Sequence, residues 1–174
     1  MIVTDIEKYA ALDFEASSLS SSSWPIEVGV SWVEADRVQT WSSLIQPHPN
    51  WDLTDWSIQS EGVHQVPMAD LEKAAPASRV AQEFLSVASE LILVSDAPAF
   101  EHRWLSRLLE AADLGPVPTI EDFNTVSFAC FDGLALDMLY EKLERTRVPH
   151  RAGPDSARLA SGWLKARSVD ASKI

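Results

Sequence analysis

Tyr9-Ala10-Ala11-Leu12-Asp13-Phe14-Glu15 decides how the rest of the chain is read. The segment leaves a charged lead and turns apolar, as a short buried strand does. Yet it carries two carboxylates two residues apart. Period two puts Asp13 and Glu15 on one sheet face, with Phe14 pointing to the other. On a strand otherwise meant for burial, paired carboxylates repel each other and lose hydration. A divalent cation between them removes both objections, and hard oxygen ligands suit Mg²⁺ or Mn²⁺. The spacing alone is not specific, because Asp70-Leu71-Glu72 repeats it. That second copy precedes an expected helix, where acids are ordinary surface or capping groups. For Asp13 and Glu15 taken alone, a strand end reaching solvent is an equal alternative.

Outward from this strand, Ser17–Ser23 is a serine-rich loop that suits a tight turn. Ile26–Val33 and Val38–Ile45 alternate and are β-branched, which completes a three-strand meander ended by Pro47 and Pro49. Asp55–Val63 reads as a short helix. Ala77–Ser89 and Phe100–Ala112 carry apolar residues at helical spacing, and between them Leu91–Val94 reads as a buried strand. Thr119–Phe123 reads as a fifth strand, Leu134–Arg145 as a helix, and Asp155–Lys165 as a last helix with Pro154 near its first turn. Residues 168–174 read as a frayed tail. The expected fold class is α/β: a five-stranded mixed sheet, a meander then parallel strands, flanked by helices in a single domain spanning residues 1–174.

Composition narrows the function. A chain of 174 residues that is 46% hydrophobic and 23% charged builds one globular core. No stretch is apolar for long enough to span a membrane, and Met1–Ala10 has no secretory apolar region. Cys130 is the single cysteine, which excludes an internal disulfide and a cysteine-based zinc site. These features predict a soluble cytoplasmic protein. Its net charge of −12 argues against a protein that coats nucleic acid by neutralising phosphates. It does not argue against an enzyme whose carboxylates hold the cations that meet the phosphate. Lys142, Arg145, Arg147, Arg151 and Arg158 concentrate late and read as a solvated helix face. The seven tryptophans read mostly as core, and oligomeric state stays open, a homodimer included.

Two further segments carry chemistry. In His150-Arg151-Ala152-Gly153-Pro154-Asp155, the offset of five lets a loop histidine and a helix-borne carboxylate meet at one point. The carboxylate can hold a metal while the imidazole takes a proton from water. The plain alternative is an ordinary first-turn acid at a helix start. Ser95 to Leu105 begins at the end of the fourth expected strand, where open α/β sheets handle ligands. Asp96 and Glu101 could both face that edge, or serve as a cap-like residue and an early helix acid.

Read in order, these segments resemble the DEDDh exonuclease superfamily, which includes the proofreading ε subunit of bacterial DNA polymerase III, ribonuclease T and oligoribonuclease. Ala10–Ala16 looks like its first motif and Trp24-Pro25-Ile26-Glu27-Val28-Gly29 like its second strand. Gly62-Val63-His64 is a degenerate relative of its Ile-His-Gly-Ile segment, and His150 with Asp155 matches its third motif. The resemblance runs from Tyr9 to Lys165. It implies a ribonuclease-H-like fold and a 3′–5′ exonuclease that releases 5′-mononucleotides from single-stranded DNA or RNA. Asp13, Glu15, Glu101 and Asp155 would hold two Mg²⁺ or Mn²⁺ ions, with His150 as general base. Phe14, Ala16, Trp24, His64, Asp96 and Phe100 would lie on the substrate side. The family's second motif usually has Asp directly after Phe; here Glu101 follows Phe100, one methylene longer, which predicts a slower site. The rivals are a non-catalytic binding module on the same fold and a hydrolase of short oligonucleotides or dinucleotides. No residue decides DNA against RNA.

Overall fold

The computed structural model describes residues 5–171. After a 3-10 turn at Ile6–Lys8 comes β1 (Tyr9–Ala16), which pairs antiparallel with β2 (Pro25–Glu34). A two-residue hairpin leads to β3 (Arg37–Gln46), antiparallel to β2. Its turn residues, Ala35 and Asp36, both adopt positive φ, the conformation that matches the twist of adjoining strands. On its other side β1 is parallel to β5 (Ile92–Ser95), and β5 is parallel to β6 (Ile120–Asp122).

The sheet has six strands, not five, in the order β4-β3-β2-β1-β5-β6. The extra strand, β4, is only Ala75–Pro76 at the edge beside β3. Two residues are too few to carry an alternation, so the sequence gives no sign of it.

Helices cover both faces. Leu12, Phe14, Val28 and Val30 form one core with α3 (Ala77–Ala88) and α4 (Pro98–Glu110), through Val80, Phe84, Leu105 and Leu108. Ala11, Val33 and Val94 form the other with α5 (Phe123–Cys130), α6 (Gly133–Arg145) and α7 (Ala152–Ala171), through Phe123, Leu139, Leu159 and Trp163. Between the meander and α3 lie α1 (Ile58–His64) and α2 (Met68–Leu71). Both α2 and α5 escape the sequence reading. At α5 the Asp122 carboxylate accepts from the Thr125 N–H, a cap that starts a helix where the strand was expected to continue. The last helix is longer than expected, starting at Ala152 and reaching Ala171; the expected tail is therefore helical to that residue, and residues 172–174 lie outside the described ones. None of the seven tryptophans is exposed. No helix among the described residues is long and apolar enough to cross a membrane.

Candidate active site

The site forms where the two helical layers meet at the C-terminal end of β1. Asp13 and Glu15 project from β1 toward the α7 layer, opposite Gly29 and Glu27 of β2. In the first turn of α7, the Asp155 Oδ2 accepts from the Arg151 backbone N–H at 3.0 Å. One carboxylate oxygen from each of Asp13, Glu15 and Asp155 lies within 4.8 Å of the other two. Glu101 arrives from the opposite layer, in the first turn of α4, and is only 3% exposed. Its carboxylate accepts from the backbone N–H of Phe14, between the two β1 acids. Burial this complete is not that of an ordinary early helix acid.

The electrostatics reflect buried acids crowded together, their mutual repulsion only partly offset by nearby cationic groups. Burial pushes the Asp13 carboxyl well above its usual range, helped by Glu15, Asp155, Asp96 and Glu27. Burial likewise raises Glu15 to about 7, with Asp155 and Glu27 adding to the rise and Arg151 opposing it. Glu101 is raised strongly by burial, then by Asp13, Asp96 and Glu15. Asp155 is raised by burial, against the pull of the Arg151 N–H and of His150. Asp13 Oδ2, Glu101 Oε2 and Asp155 Oδ1 are all buried without a hydrogen-bond partner. Buried acceptors of this kind are costly unless something satisfies them. An all-carboxylate oxygen set fits a hard divalent cation.

A cavity of about 450 Å³, within the usual range for ligand sites, opens over Asp13, Glu15 and Glu101, while Asp155 lies outside its lining. Asp13, Phe14, Glu15, Ala16, His64, Asp96, Phe100 and Glu101 all line it. Leu19, Val63 and Phe100 stand on its rim, 71%, 46% and 41% exposed. His64 is 2% exposed, and its Nδ1 accepts from the Val66 N–H at 3.0 Å. The proton of the neutral ring therefore sits on Nε2, which has no partner. Desolvation lowers the His64 pKa and favours that neutral form. His150 is exposed beside Asp155 rather than in the cavity wall, at a left-handed φ of 57°, and its backbone N–H also serves the Asp155 carboxylate.

Two expectations need correction. Trp24, expected on the substrate side, is 0% exposed, stacks on Trp51 and donates its indole N–H to the Asp52 carbonyl, so no base can reach it. Arg151 and Arg158, read as part of a solvated face, are tied down. Arg158 donates to the Leu143 and Thr146 carbonyls at the end of α6. Arg151 forks onto Glu27, Nε to Oε2 and NH2 to Oε1, both at 2.8 Å. This pair is absent from the sequence-based site. The available signal was an acid inside the β-branched run Ile26-Glu27-Val28-Gly29-Val30.

No protein-family model matches this chain, and no curated protein matches it. Solved structures do. The zinc-bound E. coli ExoI–ssDNA complex superposes with a TM-score of 0.66 at 9% identity, covering 92% of this chain and 40% of that one. The nuclease domain of 3′hExo, a DEDDh family member bound to rAMP, gives 0.64 at 15% identity, covering 94% and 92%. A full-length 3′-exonuclease gives 0.64 at 16% identity, covering 94% and 82%. This chain spans about 40% of the ExoI chain but most of the other two. At these identities the likeness is one of fold, the ribonuclease-H-like α/β fold that these exonucleases share.

Proposed function

We propose that the protein is a metal-dependent 3′–5′ exonuclease acting on single-stranded nucleic acid. The observation that carries this is the trio of buried, unpartnered carboxylate oxygens on Asp13, Glu101 and Asp155. Those of Asp13 and Asp155 belong to residues that converge with Glu15 at the C-terminal end of β1, and Glu101 comes near enough from the opposite layer to feel the charges of Asp13 and Glu15. Asp13, Glu15, Glu101 and Asp155 would hold Mg²⁺ or Mn²⁺. Bound there, such ions would supply Lewis acidity, making a water acidic enough to attack and offsetting charge on the departing 3′ oxygen.

The rest falls to the chain's own residues. Asp155 presents Oδ1, because Oδ2 is engaged by the Arg151 N–H. Glu101 offers Oε2, which is buried without a hydrogen-bond partner. A ring nitrogen of His150, beside Asp155, takes the proton of the attacking water. Leu19, Val63 and Phe100 offer an apolar rim to the terminal base. The raised carboxyl pKa values mean that cation binding expels protons from the cluster.

A second reading, that the substrate is a short oligonucleotide, is favoured by the net charge of −12 and by arginines already committed to Glu27 and to main-chain carbonyls. The test is product analysis with Mn²⁺ and linear oligomers of decreasing length, beside a circular single strand. The proposal expects 5′-mononucleotides from linear substrates and none from the circle. Cleavage of the circle would make the enzyme an endonuclease and contradict it. A fall in rate with length would select the short-substrate reading. A His150→Ala variant at full rate would remove that residue from the base role.

A further inference from the structure

We propose that Glu27 and Arg151 form a positioning clamp that fixes Asp155 and His150 against β1, so that the carboxylates converge on one cation position. The inference rests on reading the site as a divalent-cation centre, and it adds two residues that need touch neither ion nor substrate.

Glu27 is 4% exposed and directly opposite Glu15 across the β1–β2 ladder. Like charges paired across strands are unfavourable, and burial aggravates the repulsion. What makes the position tenable is a full set of donors. The Arg151 fork takes both carboxylate oxygens, and the Ala152 backbone N–H adds a third bond to Oε2 at 3.1 Å. A planar fork of this kind fixes orientation as well as charge, which a lysine cannot do.

The clamp belongs to a longer seam. Every second residue of β2 on this face, Glu27, Gly29 and Ser31, meets the beginning of α7. Glu27 holds Arg151 and Ala152; Gly29 lies under the Ala152 backbone; the Ser31 and Ser156 hydroxyls are 2.9 Å apart. The partners of these three residues on β1 are Glu15, Asp13 and Ala11. The seam therefore sets how far α7 stands from the two β1 acids.

Arg151 is pinned twice. Its side chain is fastened to β2, and its main-chain N–H is fastened to the Asp155 carboxylate. His150 precedes it directly, in a left-handed conformation that leaves the residue little freedom to relax. Loosening the guanidinium would free both Asp155 and His150. A drift of about 1 Å in catalytic geometry costs on the order of 100-fold in rate.

The experiment compares wild type, Arg151→Lys, Glu27→Gln and the double variant. Mn²⁺ dissociation constants are read by electron paramagnetic resonance of the free ion, and kcat and KM on a single-stranded oligomer. Thermal melts check folding. Each single change should weaken Mn²⁺ binding by about 10-fold or more, as loss of outer-sphere support typically does. It should lower kcat by about 10- to 100-fold with KM within about twofold. The double variant should be no worse than the poorer single one, because both remove the same clamp. A merely structural ion pair would shift the melt and leave the Mn²⁺ constant unchanged; that result overturns the proposal. If Glu27→Gln does not fold, Arg151→Lys decides alone, since it keeps the charge at a side chain 42% exposed. Wild type that binds Mn²⁺ yet leaves oligomers intact removes the nuclease reading, while the binding constants still decide the clamp. Wild type that binds no Mn²⁺ overturns both.

Discussion

Gly29 of β2 and the Ala152 backbone at the start of α7 are in direct contact, so close that a Cβ on Gly29 would overlap the Ala152 carbonyl. Gly29 is also the cross-strand partner of Asp13. The missing side chain is what lets α7 lie against the sheet beside Asp13. Gly29→Ala should push α7 outward and destabilise the fold by about 1–3 kcal/mol, the usual cost of overpacking. Because the displaced atoms carry Asp155, activity should fall further than stability alone explains. Kinetics at a temperature where the variant is fully folded check this, and an unimpaired kcat would contradict it.

Asp13 illustrates the opposition between stability and function at such a site. Without cations its charge is unfavourable, since burial and four neighbouring acids oppose ionisation. Asp13→Asn should therefore raise the melting temperature of the cation-free protein, by about 2–4 °C per kcal/mol for a chain of this size. The same change should abolish hydrolysis and the stabilisation by Mn²⁺. Melts in EDTA and in Mn²⁺ provide the comparison.

The pH dependence follows from the direction of these shifts. Glu15 rises from an ordinary 4.5 to about 7, and Asp13, Glu101 and Asp155 rise as well. The folded cation-free protein thus holds more protons than the unfolded chain. The contribution of these groups is full below their unfolded pKa values and lost as pH rises through the folded ones. In EDTA, the melting temperature should fall between about pH 5 and pH 8, and Mn²⁺ should protect most at the upper end. In an Asp13→Asn/Glu15→Gln variant both the fall and the protection should shrink. A wild-type melt that is flat over this window, or rises, would contradict the assignment.

By resemblance Glu101 takes the place of an Asp; its carboxylate is buried, and its pKa is raised by burial and by the neighbouring charge of Asp13. The longer side chain spans a distance that this backbone sets. Glu101→Asp should therefore withdraw the ligand by about 1 Å and lower kcat by on the order of 100-fold. A faster variant would mean that the native glutamate cripples the site.

The parts of this site written in local periodicity were legible. Asp13 and Glu15 share a face because strands have period two, and His150 and Asp155 meet because five residues lead from loop to helix. Trp24 was misread, because the sequence does not say which aromatic residues face inward; stacking on Trp51 buries it. The Glu27–Arg151 pair joins residues 124 positions apart. Each half looked ordinary alone, a strand residue and a surface arginine, and only tertiary contact makes them one device. The edge strand Ala75–Pro76 and the helix Phe123–Cys130 were missed because the first is too short to alternate and the second depends on a cap at Asp122.

The most direct measurement incubates 5′-labelled single-stranded RNA and DNA oligomers with the protein and Mn²⁺, beside EDTA and Asp13→Asn controls. A ladder shortening from the 3′ end, absent in both controls, is the predicted result, and the faster polymer reports the sugar preference. Intact oligomers in every lane, from a protein shown to be folded, would contradict the account.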